Sequence, residues 1–400
     1  MEGTVMTKIL SVNAGSSSLK FQLLEMPAQT VITKGLVERI GFNDGVFNIK
    51  FEDQKIEKVL PIKDHSVAVH LLLEALLDLK IVANYDEISG VGHRVVHGGE
   101  KFDRSVIITD EVLAEIDALS ELAPLHNPAH VLGIKAFMKE LPHAVPVAVF
   151  DTAFHQTMNK DAYLYPVKYE WYQKYGVRKY GFHGTSHQYV AKRCATLMGK
   201  PLEETKLITI HLGNGASLTA VKGGHSVDTS MGFTPLAGLM MGTRSGDVDP
   251  AVLPFVMAKE NLTVEQAVNA LNKESGLYGV SGESSDMRDI LKLVAQKDER
   301  AMIAFDLYVK RICDYIGAYY IYLNGVDALV FTAGIGENST PVRKAIVDRL
   351  GVLGIKLDDE ANKAMGEEQL ISTADSKIKA YAIPTNEELM IAEDTYVFVK

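Results

Sequence analysis

The stretch ILSVNAGSSSLKFQLLE, which covers residues 9–25, decides the fold class because a Gly/Ser turn lies between two apolar segments. After the turn, Leu19, Phe21 and Leu23 alternate with polar residues, which is the period of a β-strand and not of a helix. A P-loop would require a second glycine before the lysine and a helix after it. The stretch therefore predicts a β-hairpin.

The turn of this hairpin offers candidate phosphate contacts. Its backbone N–H groups and the hydroxyls of Ser16 and Ser18 suit phosphate oxygens, and Lys20 on the second strand adds a positive charge. An ordinary Ser/Gly hairpin with a solvated lysine has the same pattern. Both interpretations stay open on this evidence.

A second stretch, LITIHLGNGASLTAVKGG at residues 207–224, repeats the strand–turn–strand design. Aligning Gly15 with Gly213 places Asn13 on His211, and the repeat predicts two homologous halves. Strands alternate with helices elsewhere, which favours α/β layers. The 400 residues suffice for two domains, and the lack of a low-complexity linker predicts a short crossover near Asp151.

The composition argues against several classes of protein. The net charge is −10 and no Lys/Arg-rich run is present, so no nucleic-acid partner is expected. The N-terminal segment does not have the pattern of a signal peptide, and polar side chains interrupt the most apolar run, residues 67–79, so no membrane partner is expected. Cys194 and Cys313 are predicted to be buried thiols in a reducing compartment, which favours the cytoplasm.

Two further Gly-rich stretches follow predicted strands, HLGNGAS at residues 211–217 and TAGIGENS at residues 332–339. Neither has the G-x-G-x-x-G spacing of a dinucleotide-binding fold, which also needs an acidic residue about twenty positions on. Each is predicted to form a Gly turn at the end of a strand. Three such turns in two related halves favour a bound nucleotide.

Two arginines lie in stretches of sequence where a positively charged side chain is expected to need an anionic partner. Arg94 is surrounded by apolar strand residues in GHRVVHGGE, and Arg244 lies in the Gly/Ser loop of MMGTRSGDVDP. Because an unpaired buried charge is costly, each is expected to meet either a structural carboxylate or an anionic substrate. Two such arginines in an acidic protein favour the substrate.

Three other residues are candidates for chemistry. Asp151 follows the apolar strand VPVAVF, where it could ligate Mg²⁺, orient a nucleophile or cap a helix. His183 precedes a Gly-Thr-Ser helix start, at a loop position suited to a transferring group. Glu387 lies in PTNEEL at the start of a predicted helix, where the helix dipole or Mg²⁺ would favour a carboxylate equally.

In their order along the chain, these motifs resemble the acetokinase family of the acetate and sugar kinase, Hsc70 and actin superfamily. The matching segments are VNAGSSSLK, GHRVVHGGE, PLHNP, VFDTAFH, YGFHGTSH, HLGNGASL, GTRSGDVDP, FTAGIGENS and PTNEEL. The resemblance implies two duplicated actin-like, ribonuclease H-like α/β domains, with mixed sheets flanked by helices and a cleft between them. It implies an N-terminal domain of residues 1–151 plus 388–400 and a nucleotide-binding, dimerising domain of residues 152–387.

The resemblance also implies a reaction, the reversible transfer of a phosphoryl group from ATP to acetate that gives ADP and acetyl phosphate. Mg²⁺, or Mn²⁺ in its place, would assist, and a cytoplasmic homodimer is expected. Residues 304–323 form an apolar helix that would lie either at the dyad or in the core. Propionate or butyrate kinase is the nearest alternative, and a non-catalytic nucleotide clamp of the actin or chaperone type is an alternative of another class.

Matching by position assigns the implied roles residue by residue. The implied catalytic residues are Asp151, His183, Arg244 and Arg94, the last of which also binds the acetate carboxylate. The implied metal ligands are Asn13 and Glu387, and the implied pocket for the acetate methyl group is lined by Val96, Leu125, Phe182 and Pro235. The implied nucleotide contacts are Lys20, Ser16, Ser18, His211, Leu212, Gly213, Asn214, Gly215, Asp286, Met287, Arg288, Gly334, Ile335, Gly336, Glu337 and Asn338.

Overall fold

The Gly/Ser stretch forms the predicted hairpin in the computed structural model, which describes residues 6–124 and 126–399. Strand β1 (Thr7–Ala14) pairs with β2 (Ser18–Met26) in antiparallel register. The turn is closed by a 2.8 Å hydrogen bond from Gly15 N to Ser18 O. The apolar side chains at positions 19, 21 and 23 are fully buried, whereas Lys20 is exposed, so the predicted alternation is confirmed.

Further strands complete two sheets. They are β3 (Thr30–Glu38), β4 (Phe42–Phe51), β5 (Gln54–Ile62), β6 (Ile88–Val95), β7 (Val106–Ile107), β8 (Val145–Phe150), β9 (Lys206–Leu212), β10 (Ala216–Lys222), β11 (His225–Thr229), β12 (Ala328–Thr332), β13 (Gln369–Leu370) and β14 (Lys379–Ala382).

Helices alternate with these strands. They are α1 (His65–Asp78), α2 (Asp110–Ala118), α3 (Asn127–Glu140), α4 (Lys160–Tyr163), α5 (Tyr169–Tyr175), α6 (Gly184–Met198), α7 (Val252–Glu260), α8 (Val264–Lys273), α9 (Gly276–Ser281), α10 (Met287–Ala295), α11 (Glu299–Tyr322), α12 (Ala333–Asn338), α13 (Thr340–Arg349) and α14 (Glu387–Val399).

The chain divides into two compact units. Unit 1 comprises Met1–Phe154 and Asn386–Lys400, so that the C-terminal helix α14 belongs with the N-terminal sheet. Unit 2 is the continuous segment His155–Thr385. The strand order is β5-β4-β3-β2-β1-β6-β8-β7 in unit 1 and β11-β10-β9-β12-β14-β13 in unit 2.

The two sheets share one pattern of pairing. In unit 1, β1 is antiparallel to β2 and parallel to β6, which is parallel to β8. In unit 2, β9 is antiparallel to β10 and parallel to β12, which is parallel to β14. The predicted duplication and the predicted α/β class, with mixed sheets flanked by helices, are therefore confirmed.

The alternation of side chains along the strands decides which helix covers which face of the unit 1 sheet. Alternate residues such as Leu10, Phe21 and Val95 belong to the apolar cores that α1, α2 and α3 cover. The opposite face carries α14, which packs against β1, β2, β6 and β8. Gly92 permits this close approach, because a β-carbon there would lie 2.2 Å from the hydroxyl oxygen of Thr395.

Unit 2 corrects one local prediction. The stretch TAGIGENS does not form a Gly turn, because Ala333–Asn338 forms the short helix α12 directly after β12. Ala333 takes the left-handed conformation, with a φ of 63°, which makes the sharp change of direction from strand to helix.

Helix α11 buries one side against unit 2, through residues that include Ala304, Tyr308, Ile312 and Ile316. The core position expected as one alternative for residues 304–323 is therefore found. No helix in the described parts of the chain is both long and apolar enough to cross a membrane.

Candidate active site

Four predicted site residues lie on the α14 face of the unit 1 sheet. Asn13 and Lys20 are directly opposite each other on β1 and β2, on the side away from the α1–α3 cores. Arg94 on β6 has the same orientation as Gly92, and Asp151 continues the face that Val147 and Val149 present to α14. The parallel pairing of β6 with β8 brings Arg94 and Asp151 together.

Arg94 and Asp151 form a bidentate ion pair. Arg94 Nε donates to Asp151 Oδ1 at 2.9 Å and Arg94 Nη2 donates to Oδ2 at 2.6 Å. Burial lowers the pKa of Arg94, but the adjacent Asp151 carboxylate more than offsets this effect, so the pKa is raised overall. Arg94 therefore stays charged, and its Nη1 group is not used by Asp151.

The N-terminus of α14 adds two carboxylates to this face. Asn386 Oδ1 accepts a 3.1 Å hydrogen bond from Leu389 N and so caps the helix. Glu388 forms an ion pair with Lys20. The pKa of Glu387 is raised to about 7 by burial and by the negative charges of its acidic neighbours, although Arg94 and Lys20 act in the opposite direction.

A histidine that lies outside the β-hairpin forms a hydrogen bond to its turn. His65 Nε2 donates to Gly15 O at 2.7 Å. Ser16 is exposed and Ser18 is half-buried, so both hydroxyls remain near the surface of the turn. This arrangement suits a phosphate group, which would accept hydrogen bonds from the turn.

The donors near α14 fit a hard divalent cation. Asn13 and Glu387 supply oxygen atoms, which Mg²⁺ prefers, and the Asp151 and Glu388 carboxylates add negative charge near Glu387. Within residues 6–124 and 126–399, no group of three or more His, Cys, Asp or Glu side chains has a metal-binding arrangement. Mg²⁺ commonly takes one or two protein ligands together with waters and substrate phosphates, so two oxygen donors are enough for such an ion.

His183 lies at the N-terminus of α6 in unit 2, in the left-handed conformation with a φ of 56°. Its Nδ1 atom is 2.8 Å from Ser217 Oγ on β10. Its ring stacks on His211 of β9, with 4.0 Å between ring centroids. His211 Nδ1 in turn lies 2.8 Å from Ser186 Oγ on α6, so the strands and the helix fix both rings.

Arg244 lies beside His183. A β-carbon built on Gly215 would be 3.4 Å from Arg244 Nη1 and 3.5 Å from His183 Cε1, so the two side chains flank this glycine. Arg244 Nη1 donates to Pro235 O at 3.0 Å, and no carboxylate in the described part of the chain forms an ion pair with Arg244. Burial lowers the pKa of Arg244. A half-buried guanidinium with this environment suits an anionic ligand.

A cavity of about 620 Å³ lies beside these residues in unit 2, which is a common size for a small-molecule site. Its lining contains the predicted residues Gly213, Asn214, Asp286, Met287, Arg288, Gly334, Ile335 and Asn338. It also contains Ser285, Leu291, Ser339 and Pro341, which were not predicted. Each of these four lies within a few positions of a predicted residue, and Leu291 follows Met287 by one helical turn.

Asp286 and Arg288 pair with each other at the edge of the cavity. Arg288 Nη2 donates to Asp286 Oδ2 at 2.6 Å, and Asp286 Oδ1 also caps α10 by accepting from Arg288 N at 2.8 Å. These hydrogen bonds lower the pKa of Asp286 to about 2. The carboxylate is thus held in one orientation at the start of α10.

Other members of the predicted nucleotide loops do not line this cavity. Leu212 is fully buried in the core, and His211 bonds to α6 as described. Gly336 lies inside α12. The Glu337 carboxylate accepts a 2.9 Å hydrogen bond from Thr385 N and so ties α12 to the segment that precedes α14.

Arg343 is a residue that the sequence did not single out. It is fully buried, and its Nη1 donates to the carbonyl oxygens of Gly336 and Glu337 at 2.9 and 2.7 Å. Its Nε and Nη2 donate to Asn362, at 2.8 and 2.6 Å. Burial lowers the pKa of Arg343 to about 10. It holds the end of α12 in place, and the only signal in the sequence was an arginine between apolar positions of α13.

The residues predicted to surround the methyl group of a small acid are distributed over both units. Val96 is buried in unit 1, two positions after Arg94. Phe182 is buried in unit 2, where Pro235 is half-buried next to Arg244. Leu125 lies outside the described residues.

Comparison with known proteins shows which family this chain resembles over its length. Residues 8–393 match the model of the acetokinase family. The acetate kinase of Bacillus cytotoxicus is 58% identical over 97% of this chain and 98% of its own length. The crystal structure of Porphyromonas gingivalis acetate kinase is 45% identical with a TM-score of 0.95, covering 98% of this chain and all of that one.

A propionate kinase from Francisella tularensis is also similar in structure. It is 42% identical with a TM-score of 0.92, and the match covers 98% of this chain and 100% of that chain. The family model spans nearly every residue that contributes to the two sheets and their polar clusters. This chain belongs to the acetokinase family.

Proposed function

We propose that this chain transfers the γ-phosphoryl group of ATP reversibly to acetate and gives ADP and acetyl phosphate. The observation that carries the proposal is the 58% identity to an acetate kinase over almost the whole of both chains. A carboxylate oxygen of acetate attacks the γ-phosphorus, and the bond between that phosphorus and the β,γ-bridging oxygen breaks. The electron pair of the broken bond leaves with ADP.

The contacts in each unit support distinct roles. The cavity lined by Asn214, Met287 and Ile335 has the size and mixed lining for a nucleoside, and its glycines allow a ligand to approach the backbone. Arg244 and His183 supply positive or donor groups for the equatorial oxygens of the transferring phosphoryl group. Because phosphoryl transfer depends chiefly on positioning and charge stabilisation, such groups are the expected catalysts.

Arg94 is the proposed contact of the acetate carboxylate. Asp151 occupies its Nε and Nη2 atoms and fixes the plane of the guanidinium, which leaves Nη1 for the acid. Acetate is ionised at neutral pH, so the reaction does not require a strong base. Asp151 is therefore proposed to position the acceptor through Arg94.

Asn13 and Glu387 are the proposed ligands of Mg²⁺, for which Mn²⁺ would substitute. When bound, the ion would neutralise charge on the phosphate oxygens of the nucleotide. Lys20, Ser16 and Ser18 are proposed to contact the phosphates from the hairpin. The Lys20–Glu388 ion pair keeps this lysine at the N-terminus of α14.

Trapping of the acyl phosphate tests the function directly. The purified chain is incubated with ATP, Mg²⁺ and hydroxylamine together with acetate, propionate or butyrate, and the hydroxamate is measured. We expect acetate to give the highest kcat/KM. A higher value with propionate or butyrate would assign the chain to another acid, and nucleotide binding without any hydroxamate would favour the non-catalytic clamp.

Val96→Ala is expected to shift the preference toward propionate. Val96 is buried next to the proposed acceptor contact, and the loss of two methyl groups leaves space for one more methylene. The ratio of kcat/KM for propionate to that for acetate is expected to rise about tenfold. Val106→Ala, which shortens a half-buried valine on β7, is the control, and an equal ratio in both variants would contradict this role of Val96.

We also propose a homodimer that forms through α7 and α8. These two helices pack against each other, and α7 has no buried residue in the isolated chain although most of its side chains are apolar. Phe255 on α7 and Val264 on α8 are 65% and 59% exposed. A contiguous exposed apolar surface of this kind is typical of an interface, and a second copy of the chain is the proposed occupant because the family resemblance implies a homodimer.

Phe255→Asp is expected to dissociate this dimer. A buried charge in place of an aromatic anchor costs about 2 kcal/mol or more, which raises the dissociation constant about 30-fold. Analytical ultracentrifugation over a range of concentrations measures the change. Val59→Asp alters a side chain of equal exposure in unit 1 and is expected to leave the dimer intact; dissociation by both variants, or by neither, would rule out the α7–α8 surface.

The proposal includes a cytoplasmic location. Cys194 and Cys313 are both free thiols in the structure, which fits a reducing compartment. Burial raises the pKa of the Cys194 thiol to about 12, so this thiol stays protonated.

A further inference from the structure

A hydrogen bond from outside the β-hairpin fixes one peptide group of its turn. His65 Nε2 lies 2.7 Å from Gly15 O. A carbonyl oxygen only accepts, so His65 is the donor whether or not its Nδ1 also carries a proton. His65 is the first residue of α1 and is only 6% exposed, so few other partners can replace Gly15 O.

The start of α1 is itself held in place, which fixes the position of this donor. Asp64 Oδ1 accepts a 3.0 Å hydrogen bond from Val67 N and so caps the helix. Val69 and Leu72, on the first turns of the helix, are fully buried in the core of unit 1. The packing of α1 therefore presents His65 Nε2 to the turn in one position.

Two other carbonyl groups at this turn also have protein donors. Ser17 O accepts from Ile40 N at 3.0 Å, and Ser18 O accepts from Gly15 N at 2.8 Å. By contrast, no acceptor in the described part of the chain binds the N–H group of Ser16, which is exposed. The turn thus has three carbonyl oxygens occupied and keeps a backbone donor for a ligand.

The geometry of the peptide group links His65 to that donor. In a trans peptide the C=O and the N–H point in opposite directions, and the bond between Gly15 and Ser16 is trans. Because His65 holds Gly15 O toward α1, the N–H of Ser16 points away from α1. Asn13 and Lys20 also lie on the side of the sheet away from the α1–α3 cores, so the Ser16 donor has the direction expected of a phosphate contact.

We propose that His65 is a positioning residue for phosphoryl transfer, which keeps the Gly15–Ser16 peptide from flipping and so holds the Ser16 N–H toward the phosphates. Glycine resists such a flip less than other residues because it has no β-carbon. A flipped peptide would present the Gly15 carbonyl oxygen to an anionic phosphate and repel it. This inference rests on the proposed function, which places the nucleotide phosphates at the hairpin.

Two substitutions of His65 separate the donor from the space that the ring fills. His65→Phe keeps an aromatic ring without a donor, whereas His65→Gln places an amide N–H close to the position of Nε2. We expect kcat/KM for ATP to fall about 30-fold in His65→Phe and to stay within about threefold of the wild type in His65→Gln, while the KM for acetate changes less than about twofold in both. An equal loss in both variants, or no loss in His65→Phe, would overturn the proposal.

The amide signal of Ser16 gives a test that does not depend on activity. In protein labelled with ¹⁵N-serine, this signal is identified by its loss in Ser16→Ala, and its shift on addition of ATP and Mg²⁺ is measured without any acid present. We expect a shift in the wild type and in His65→Gln, and a clearly smaller one in His65→Phe. An unchanged Ser16 signal in a wild-type chain that binds ATP would overturn the inference. The expected shifts in a chain that phosphorylates no acid would support the inference and refute only the proposed function.

Thr109→Ala is the matched control for a general loss of stability in unit 1. Thr109 Oγ1 caps α2, which covers the same side of the sheet as α1, by accepting from Val112 N at 3.3 Å. This variant is expected to lower the melting temperature and to keep the wild-type kcat/KM for ATP. A similar loss of kcat/KM in Thr109→Ala and His65→Phe would count against a specific role of His65.

Discussion

Arg244→Gln is expected to lower kcat by about 100- to 1,000-fold while the melting temperature changes little. Arg244 has no carboxylate partner among the residues that the structure describes, and its Nη1 atom donates to Pro235 O and, at 3.6 Å, to Met241 Sδ. Its charge is therefore available to the phosphoryl oxygens, and the loss of one such group in a preorganised site costs about 3–4 kcal/mol in the transition state. Steady-state kinetics in both directions measure this change.

One further variant tests whether Arg244 acts through its planar guanidinium group or only through its positive charge, and a second variant is a control. Arg244→Lys keeps the positive charge but loses the planar fork, so an intermediate kcat is expected. Arg193→Gln removes a half-buried arginine that pairs with Glu368 and is expected to leave kcat unchanged. Wild-type kcat in Arg244→Gln would exclude the arginine from the transition state.

Asp151→Asn is expected to lower kcat/KM for acetate about 100-fold without changing the Mg²⁺ dependence. Both carboxylate oxygens of Asp151 bind Arg94, and the asparagine retains one acceptor but neither the charge nor the bidentate contact. The guanidinium then loses its fixed orientation, which weakens its hold on the acceptor. Kinetics with acetate varied at several Mg²⁺ concentrations test this assignment.

The dependence of activity on Mg²⁺ concentration distinguishes a positioning role of Asp151 from a role as a metal ligand. Recovery of activity at high Mg²⁺ would instead identify Asp151 as a metal ligand. Asp103→Asn is the control, because Asp103 forms a similar bidentate pair with Arg104 on the surface and is expected to leave both parameters unchanged.

The β-hairpin could be predicted from the sequence because the residues that specify it are close together along the chain. The alternation at positions 19–23 follows from burial of one face of a strand, and the repeat at residues 207–224 carries the same signal into the second sheet. Helix α12 could not be predicted in this way. Its start depends on Ala333 in a left-handed conformation, and its end depends on Arg343, which reaches Asn362 as well.

The ion pair between Arg94 and Asp151 could not be predicted from sequence motifs either. Arg94 was predicted to meet either a structural carboxylate or an anionic substrate, and the structure shows the carboxylate, but the sequence did not indicate that this carboxylate is Asp151. They meet because β6 and β8 are parallel neighbours and both side chains point to the α14 face. The roles assigned to them by resemblance stay predictions until the variants are measured.

The position of α14 has a consequence for the order in which the molecule is made. Unit 2 is one continuous segment, whereas unit 1 needs residues from both ends of the chain. During synthesis, the face that carries Arg94 and Asp151 stays without its covering helix until α14 has left the ribosome, whereas the sequence of unit 2 emerges before α14. Glu387, a proposed metal ligand on α14, therefore joins Arg94 and Asp151 only after the whole sequence of unit 2, including the lining of its cavity, has been made.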